Sequence, residues 1–386
     1  MGYIALGDLI SKAQVEKCGK REYPVLSMTM HDGIVFQNDR FKKDIASIDR
    51  SNYSVVGFNQ LVVSFPIDEG VLAVQDITDA GIVSPAYKIW DIDQAKLVPK
   101  YLEMWLRSPR SIDYYKSKLR GTTARRRSIP EEDFLGMRVN VLPMEEQERI
   151  VDLITRVNGV ILLRKQQLSA LDDLIKARFV EMFGDPLLNP MNWKEEKLEE
   201  IADIVSGITK GRKVQSTDLY EVPYMAVSNV KDGYIDWTTV KTILATQAEI
   251  DQYRLLPNDV LMTEGGDPDK LGRGAIIHEP PSDCIHQNHI FRVRLDQSRI
   301  TPEFMGQYLQ HQKAKRYFLG CAKQTTGIAS INMKQLRALP MLMPPIGLQR
   351  EFAAFVAQID KSKSVIQKSL DETQLLFDSL MQQYFG

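Results

Sequence analysis

The sequence predicts a mixed α/β (α+β) protein made of two copies of one plan. Two globular domains, related by a pseudo-two-fold axis, are joined by two long antiparallel coiled-coil helices. Three observations carry that expectation. Short motifs recur in the same order in both halves, each half mixes β-rich stretches with amphipathic segments, and each half closes on a heptad-patterned run free of proline. The expected boundaries are residues 1–143 for the first globular domain, 144–184 for the first long helix, 185–344 for the second domain and 345–386 for the second long helix.

The duplication is clearest where the halves end. Pro143 stands over Pro345, Gln147 over Gln349, and Phe183-Gly184 over Phe385-Gly386, all at one offset. Upstream, Gly121-Thr122-Thr123 with Ser128-Ile129 stands against Gln324-Thr325-Thr326 with Ser330-Ile331. Asp32-Gly33 matches Asp232-Gly233, and Asn59 matches Asn258. These offsets drift by a few residues, as loop insertions in an old duplication produce. A repeat of about 200 residues is a duplicated domain, because a solenoid unit has a period of roughly 20–50.

At 386 residues, 44% of them hydrophobic and 26% charged, the chain is long enough for two or three domains that each bury a core. No apolar run reaches the roughly 18 residues that a membrane span requires. The N-terminal residues from Met1 to Leu6 carry neither a basic leader nor a myristoylation signal, so the expected compartment is the cytoplasm. Cys18, Cys284 and Cys321 are odd in number and far apart, which fits a reducing compartment. A net charge of −1 means that any nucleic-acid contact rests on local patches.

The heptad runs are the strongest local signal. Apolar positions fall at Ile150, Ile154, Val157, Ile161, Leu168, Leu171, Ile175 and Met182, interrupted by Arg164 and Arg178. The second run has Phe352, Val356, Ile359, Ile366, Leu370, Phe377, Leu380 and Tyr384, interrupted by Lys363 and Thr373. This 4,3 alternation is a coiled-coil seam. Equal lengths and matched registers favour packing of the two helices on each other, the alternative being two amphipathic helices each packed on its own domain. Two-fold symmetry then requires them to run antiparallel, which brings Gly386 near the N-terminus. The entry segment of the second domain, residues 185–193, has no counterpart before Leu6, as if a nearly circular chain were cut open there. About 38 residues at roughly 1.5 Å each make a rod of about 57 Å, a ruler between two domains.

In the globular halves, strands are expected around Leu61-Val62-Val63-Ser64-Phe65 and Asp259-Val260-Leu261-Met262. Amphipathic segments follow from Pro99 and from Pro302, with proline at the first helical position. A polar loop comes next in each half. Between Lys116 and Ser128 it holds six positive charges and no negative one, with Lys116, Lys118, Arg120, Thr122, Thr123, Arg125, Arg126 and Arg127 as candidate DNA contacts. The matching candidates in the second half are Lys323, Gln324, Thr325 and Thr326. Arg and Lys suit phosphates and guanine, and Gln suits adenine. A charge run is commonly only a solvated face, but recurrence at equivalent places favours contact. A further basic loop offers Thr209, Lys210, Arg212 and Lys213, without the spacing of a phosphate loop.

Catalysis finds little support in the sequence. His286 and His289 have no third ligand at a zinc-site spacing. Asn189-Pro190-Met191-Asn192 is superficially like the Asn-Pro-Pro-aromatic motif of amino-methyltransferases but lacks its second proline and its aromatic, and is read as a turn. No nucleophile elbow or dinucleotide-binding glycine motif is present. No catalytic residue, metal or cofactor is expected.

Across nearly its whole length the chain resembles the specificity subunit of type I restriction-modification enzymes. The marks are Leu6-Gly7-Asp8-Leu9, echoed by Leu198-Glu199-Glu200-Ile201, the Thr-Thr…Ser-Ile loops, and the Pro…Gln entry to each long helix at Pro143/Gln147 and Pro345/Gln349. The resemblance implies two target-recognition domains, separated by helical spacers, that bind an asymmetric bipartite site on double-stranded DNA. It implies two modification subunits, which methylate adenine with S-adenosylmethionine, and restriction subunits, which cleave. The chain itself would be no enzyme, and Gln147, Arg164, Arg178, Gln349 and Lys363 are the candidate contacts to partner subunits. The family pattern before Leu6 is missing, which leaves the docking of the first domain's N-terminus open. Half-site centres about 34 Å apart are expected, and one extra turn in the first helix should lengthen the unread spacer. Two alternatives stand beside this reading: a catalytic protein with a substrate groove between the repeats, and a coiled-coil scaffold that does not touch DNA.

Overall fold

A computed structural model of the chain describes residues 2–30, 32–40, 49–119, 129–212, 218–266, 271–325 and 328–386. The chain divides into two compact units, Met1–Lys165 with Lys368–Gly386, and Gln166–Gln367. Each unit therefore holds one globular domain, the first part of that domain's own long helix and the last part of the other. No helix among the described residues is long and apolar enough to cross a membrane.

The first unit is built on four antiparallel strands in the order Ile10–Lys12, Lys88–Ile92, Leu61–Val63, Leu72–Val74. Leu61, Val62 and Val63 are buried in succession because both faces of this central strand are covered, which explains an apolar run without alternation. The helices Pro99–Leu106 and Pro109–Lys118 both start with proline, whose missing N–H costs nothing at that position. Tyr101, Leu102, Trp105 and Leu106 share one core with Leu61, Val63, Leu72 and Trp90. Strand Gly2–Ala5 pairs antiparallel with Arg138–Val141, so the two ends of the domain meet just before the first long helix.

The second unit repeats the plan, with the sheet order Ala202–Ser206, Ile290–Leu295, Val260–Thr263, Gly274–Ile276 and the closing pair Glu195–Lys197 with Pro340–Leu342. The repeat extends to single turns. Asn59 and Asn258 both hold a positive φ, at 65° and 73°, and their amides donate to Gln94 and Gln297 at 3.0 and 3.1 Å. The units diverge in their outer strands. The second alone among the described residues has a ribbon in which Lys323–Thr325 pairs with Ile328–Ser330 and the latter with Gly265–Gly266.

The long helices run Met144–Phe183 and Ile346–Phe385. Within the first unit they lie antiparallel, Ile150 and Ile154 sharing a core with Phe377, Met381 and Phe385. Within the second unit Ile175 and Phe179 pack with Phe352, Val356 and Ile359, again antiparallel. The polar interruptions of the seam are paired as well. Arg164 donates to the Thr373 hydroxyl and the Ser369 carbonyl, and Lys363 meets Asp172 at 2.6 Å.

Each helix ends in an aromatic plug. Phe183 sits 4.9 Å from Phe304 and 5.6 Å from Phe352 between ring centroids, and Phe385 sits 5.4 Å from Tyr101 and 6.0 Å from Trp105. Gly184 stops the first helix at φ +74°, its N–H donating to the Val180 carbonyl at 2.8 Å. A Cβ there would lie 2.5 Å from Pro190, so only glycine fits. At the other terminus Arg110 donates to both the Tyr3 hydroxyl and the Gly386 carbonyl, at 3.0 and 3.3 Å.

Candidate nucleic-acid interface

Two repeated glutamines fix how each domain meets its helix. Gln147 is fully buried; its Oε1 accepts from Val98 N at 2.9 Å, and its Nε2 donates to the carbonyls of Lys96 and Leu142, both at 2.8 Å. Gln349 does the same with Thr301 N at 2.9 Å and the carbonyls of Arg299 and Pro344 at 3.1 and 2.9 Å. Gln147 and Gln349, expected from the sequence as partner contacts, spend their side chains inside the chain on backbone groups that secondary structure leaves open. Arg164 and Lys363 are engaged between the helices as described, and Arg178 pairs with Glu181 at 2.8 Å while lying 5.9 Å over the Phe355 ring.

Of the basic loop in the first half, Lys116 and Lys118 end the helix Pro109–Lys118. Both are exposed, and their ion pairs to Asp113 and Asp133, at 3.9 and 3.6 Å, are loose enough to yield to a phosphate. Arg120, Thr122, Thr123, Arg125, Arg126 and Arg127 lie outside the described residues, as do Lys213 and Thr326. The chain enters that stretch from the helix end and returns at buried Ile129.

In the second unit Thr209 and Lys210 are exposed, just beyond Ile208, which is tied to the His286 carbonyl at 2.8 Å. Arg212 differs. Its guanidinium grips Glu249 through two bonds of 2.5 and 2.6 Å, donates to the Leu244 carbonyl at 3.1 Å and is 19% exposed. The hydrogen bond from Arg212 holds the Glu249 carboxyl down at about 2. Arg212, expected from the sequence as a DNA contact, thus anchors its loop to the helix Gln247–Tyr253. Lys323 is exposed at the start of the ribbon, and Gln324 and Thr325 occupy strand positions in it where a loop is expected from sequence. A paired ribbon is one of the elements that the DNA major groove admits.

His286 and His289 do not converge. His286 is buried with Nδ1 3.1 Å from the Tyr253 carbonyl, and burial lowers its imidazole to about 4, so it is neutral at pH 7. His289 is exposed, with Nδ1 2.5 Å from Glu264 Oε2. Burial pushes the Cys284 thiol up to about 12, which makes it unreactive. A groove of the second unit, about 1270 Å³, is lined by Asp172, Asp232, Glu279, Glu303 and Asp360 against three lysines. That balance disfavours a phosphate backbone.

Sequence reading misses two features. The Glu264–His289 pair is assembled by the ladder that sets Thr263 opposite Ile290, and no spacing in the sequence announces it. Exposed leucines lie off the seam: Leu162, Leu163, Leu375 and Leu376 on the first unit, and Leu174 on the second. The adjacent pairs Leu162-Leu163 and Leu375-Leu376, apolar outside the seam, were the available signal.

Residues 190–373 match the family model of the type I restriction modification DNA specificity domain. A Methanocaldococcus jannaschii protein named as the MjaX specificity subunit of a type I restriction enzyme is 25% identical over 51% of this chain and 46% of its own length. The EcoKI specificity subunit of Escherichia coli K12 is 23% identical over 42% of this chain and 35% of its own. The chain thus spans less than half the length of these curated relatives. The solved type I restriction-modification S subunit from M. genitalium shares the fold at a TM-score of 0.58 and 15% identity, covering 100% of this chain and 96% of that one.

Proposed function

We propose that this chain is a member of the specificity-subunit family of type I restriction-modification systems, reads an asymmetric, bipartite DNA site and directs partner methyltransferase and endonuclease subunits to it. The single observation that carries the reading is a frame kept in duplicate while the mounted domains diverge. Gln147 and Gln349 tie domain to helix through the same three kinds of bond, and Phe183 and Phe385 plug the same place. The outer strands and polar loops differ between the units. Such a molecule holds two unlike readers in equivalent mounts.

The candidate reading surface comprises Lys116, Lys118 and the arginine-rich stretch after them in the first unit. In the second it comprises Thr209, Lys210 and the ribbon that starts at Lys323. Phosphate contacts from the cations give affinity and register, while side chains at base edges give specificity. With a net charge of −1, much of the nonspecific attraction would come from partner subunits. The exposed leucines of the helices are candidate positions for those partners to dock on. The chain supplies no chemistry of its own and acts in the cytoplasm.

The test is methylation mapping of a genome that carries this chain together with its modification subunit. A split adenine motif with two unrelated halves is the expected outcome, and a palindromic motif or none would overturn the proposal.

A further inference from the structure

The central strand of each sheet leaves the core at an equivalent point. Ser64 N donates to the Val71 carbonyl at 3.0 Å and Thr263 N to the Arg273 carbonyl at 3.1 Å, and the next residues are Phe65 and Glu264. Here the units part. In the first, Phe65 is 46% exposed and borders a shallow apolar pocket with Trp90 and Ile129. In the second, Glu264 is fastened on both sides by backbone: its N–H donates to the His289 carbonyl at 3.0 Å, and its carbonyl accepts from Ile331 at 2.8 Å. It therefore sits between the sheet and the end of the ribbon, and its carboxylate meets His289 Nδ1 at 2.5 Å.

An ionised carboxylate can only accept, so Nδ1 carries the proton it shares with Glu264, and the ring is held in one orientation. Nε2 is then the ring atom left for a ligand, on a side chain 56% exposed. An exposed imidazole pinned by a carboxylate costs less ordering on binding than a free one. Such a nitrogen accepts from the exocyclic amine of adenine or cytosine when the ring is neutral and donates to guanine O6 or N7 when it is charged.

We propose that His289 is a specificity-determining residue of the second unit, contacting a base edge through Nε2, with Glu264 as its positioning residue. The inference rests on the reading of the chain as a DNA-specificity subunit. Phe65 takes the place of Glu264 in the first unit, where an exposed aromatic ring suits the methyl group of thymine. The position that holds a positioning carboxylate in one half thus holds an exposed aromatic ring in the other.

The test uses the full chain in complex with its modification subunit, on a double-stranded DNA library randomised over both half-sites. His289→Ala should lower the preference at one base pair of one half-site on the order of tenfold and leave the other half-site untouched. Glu264→Ala should relax the same position, and Glu264→Gln should retain part of the preference because the amide oxygen still accepts from Nδ1. Phe65→Ala should relax the opposite half-site only. Base preferences unchanged in His289→Ala, or a uniform loss of binding with preferences intact, would overturn the inference while leaving the bipartite reading in place. A wild-type complex without any bipartite preference would instead remove the reading on which it rests.

Discussion

Replacing Gln147 by Leu keeps most of the side-chain volume and removes three hydrogen bonds in a site with no exposure to water. Val98 N and the carbonyls of Lys96 and Leu142 would lose their partner. Each buried polar group left unpaired costs about 1–3 kcal/mol, and partial relaxation keeps the total below the simple sum, at about 3–5 kcal/mol. A domain of this size has about 5–15 kcal/mol in all, so the loss is a large fraction. Gln349→Leu should cost the same, because Thr301 N and the carbonyls of Arg299 and Pro344 are left in the same state. Gln→Glu at either position should be no milder, since a carboxylate cannot donate to the two carbonyls. Urea unfolding of the full chain, followed by far-UV circular dichroism, measures both losses. With a slope of about 2–3 kcal/mol per molar, the midpoint of the affected unit should fall by about 1–2 M. A loss below about 1 kcal/mol for either glutamine would refute the view that they lock domain to helix.

Other outcomes follow from the same contacts. Phe183→Ala and Phe385→Ala should each destabilise their unit by about 3–5 kcal/mol in the same unfolding assay, because each empties the middle of an aromatic cluster. His286 has a folded value of about 4 against 6.5 for the free group, burial being the main cause. Between those values the unfolded chain binds more protons, so stability is complete above about pH 6.5 and declines as pH falls, by about 3 kcal/mol near pH 4. His286→Gln should flatten that slope in a pH series of unfolding midpoints, and an unchanged slope would remove His286 as its source. A four-residue insertion in the first long helix, matched in the second to keep the seam in register, adds about 6 Å of rise. It should lengthen the unread spacer by one or two base pairs in methylation mapping without altering either half-site, and an unchanged spacer would end the idea of the helices as a ruler.

What sequence conveys here depends on whether the partner of a residue is near in the heptad or far along the chain. The seam from Ile150 to Met182 is legible because its period is local, and Ile154, Ile161 and Ile175 are buried as that period requires. Arg164 and Thr373 read as interruptions, yet the fold sets them against each other across the seam. Gln147 and Gln349 stand out by repetition, which marks them as constrained but is silent on whether they face a partner or the core. Arg212 reads as part of a basic run because Glu249 lies far off in sequence and only the fold brings it within reach. The ribbon at Lys323–Thr325 reads as a loop because its polar residues lack the apolar alternation of a half-buried strand, its ladder being completed by Gly265–Gly266. The arginines from 125 to 127 lie outside the described residues, so their part in the interface rests on charge and recurrence.

The central claim is that two independent readers share one duplicated frame. It is tested most directly by exchanging residues 193–343 for the corresponding segment of a curated specificity subunit and mapping adenine methylation by the complex with the proposed modification subunit. One half of the motif should change to that of the donor while the other half stays as it was. A change in both halves, or in neither, would contradict the claim.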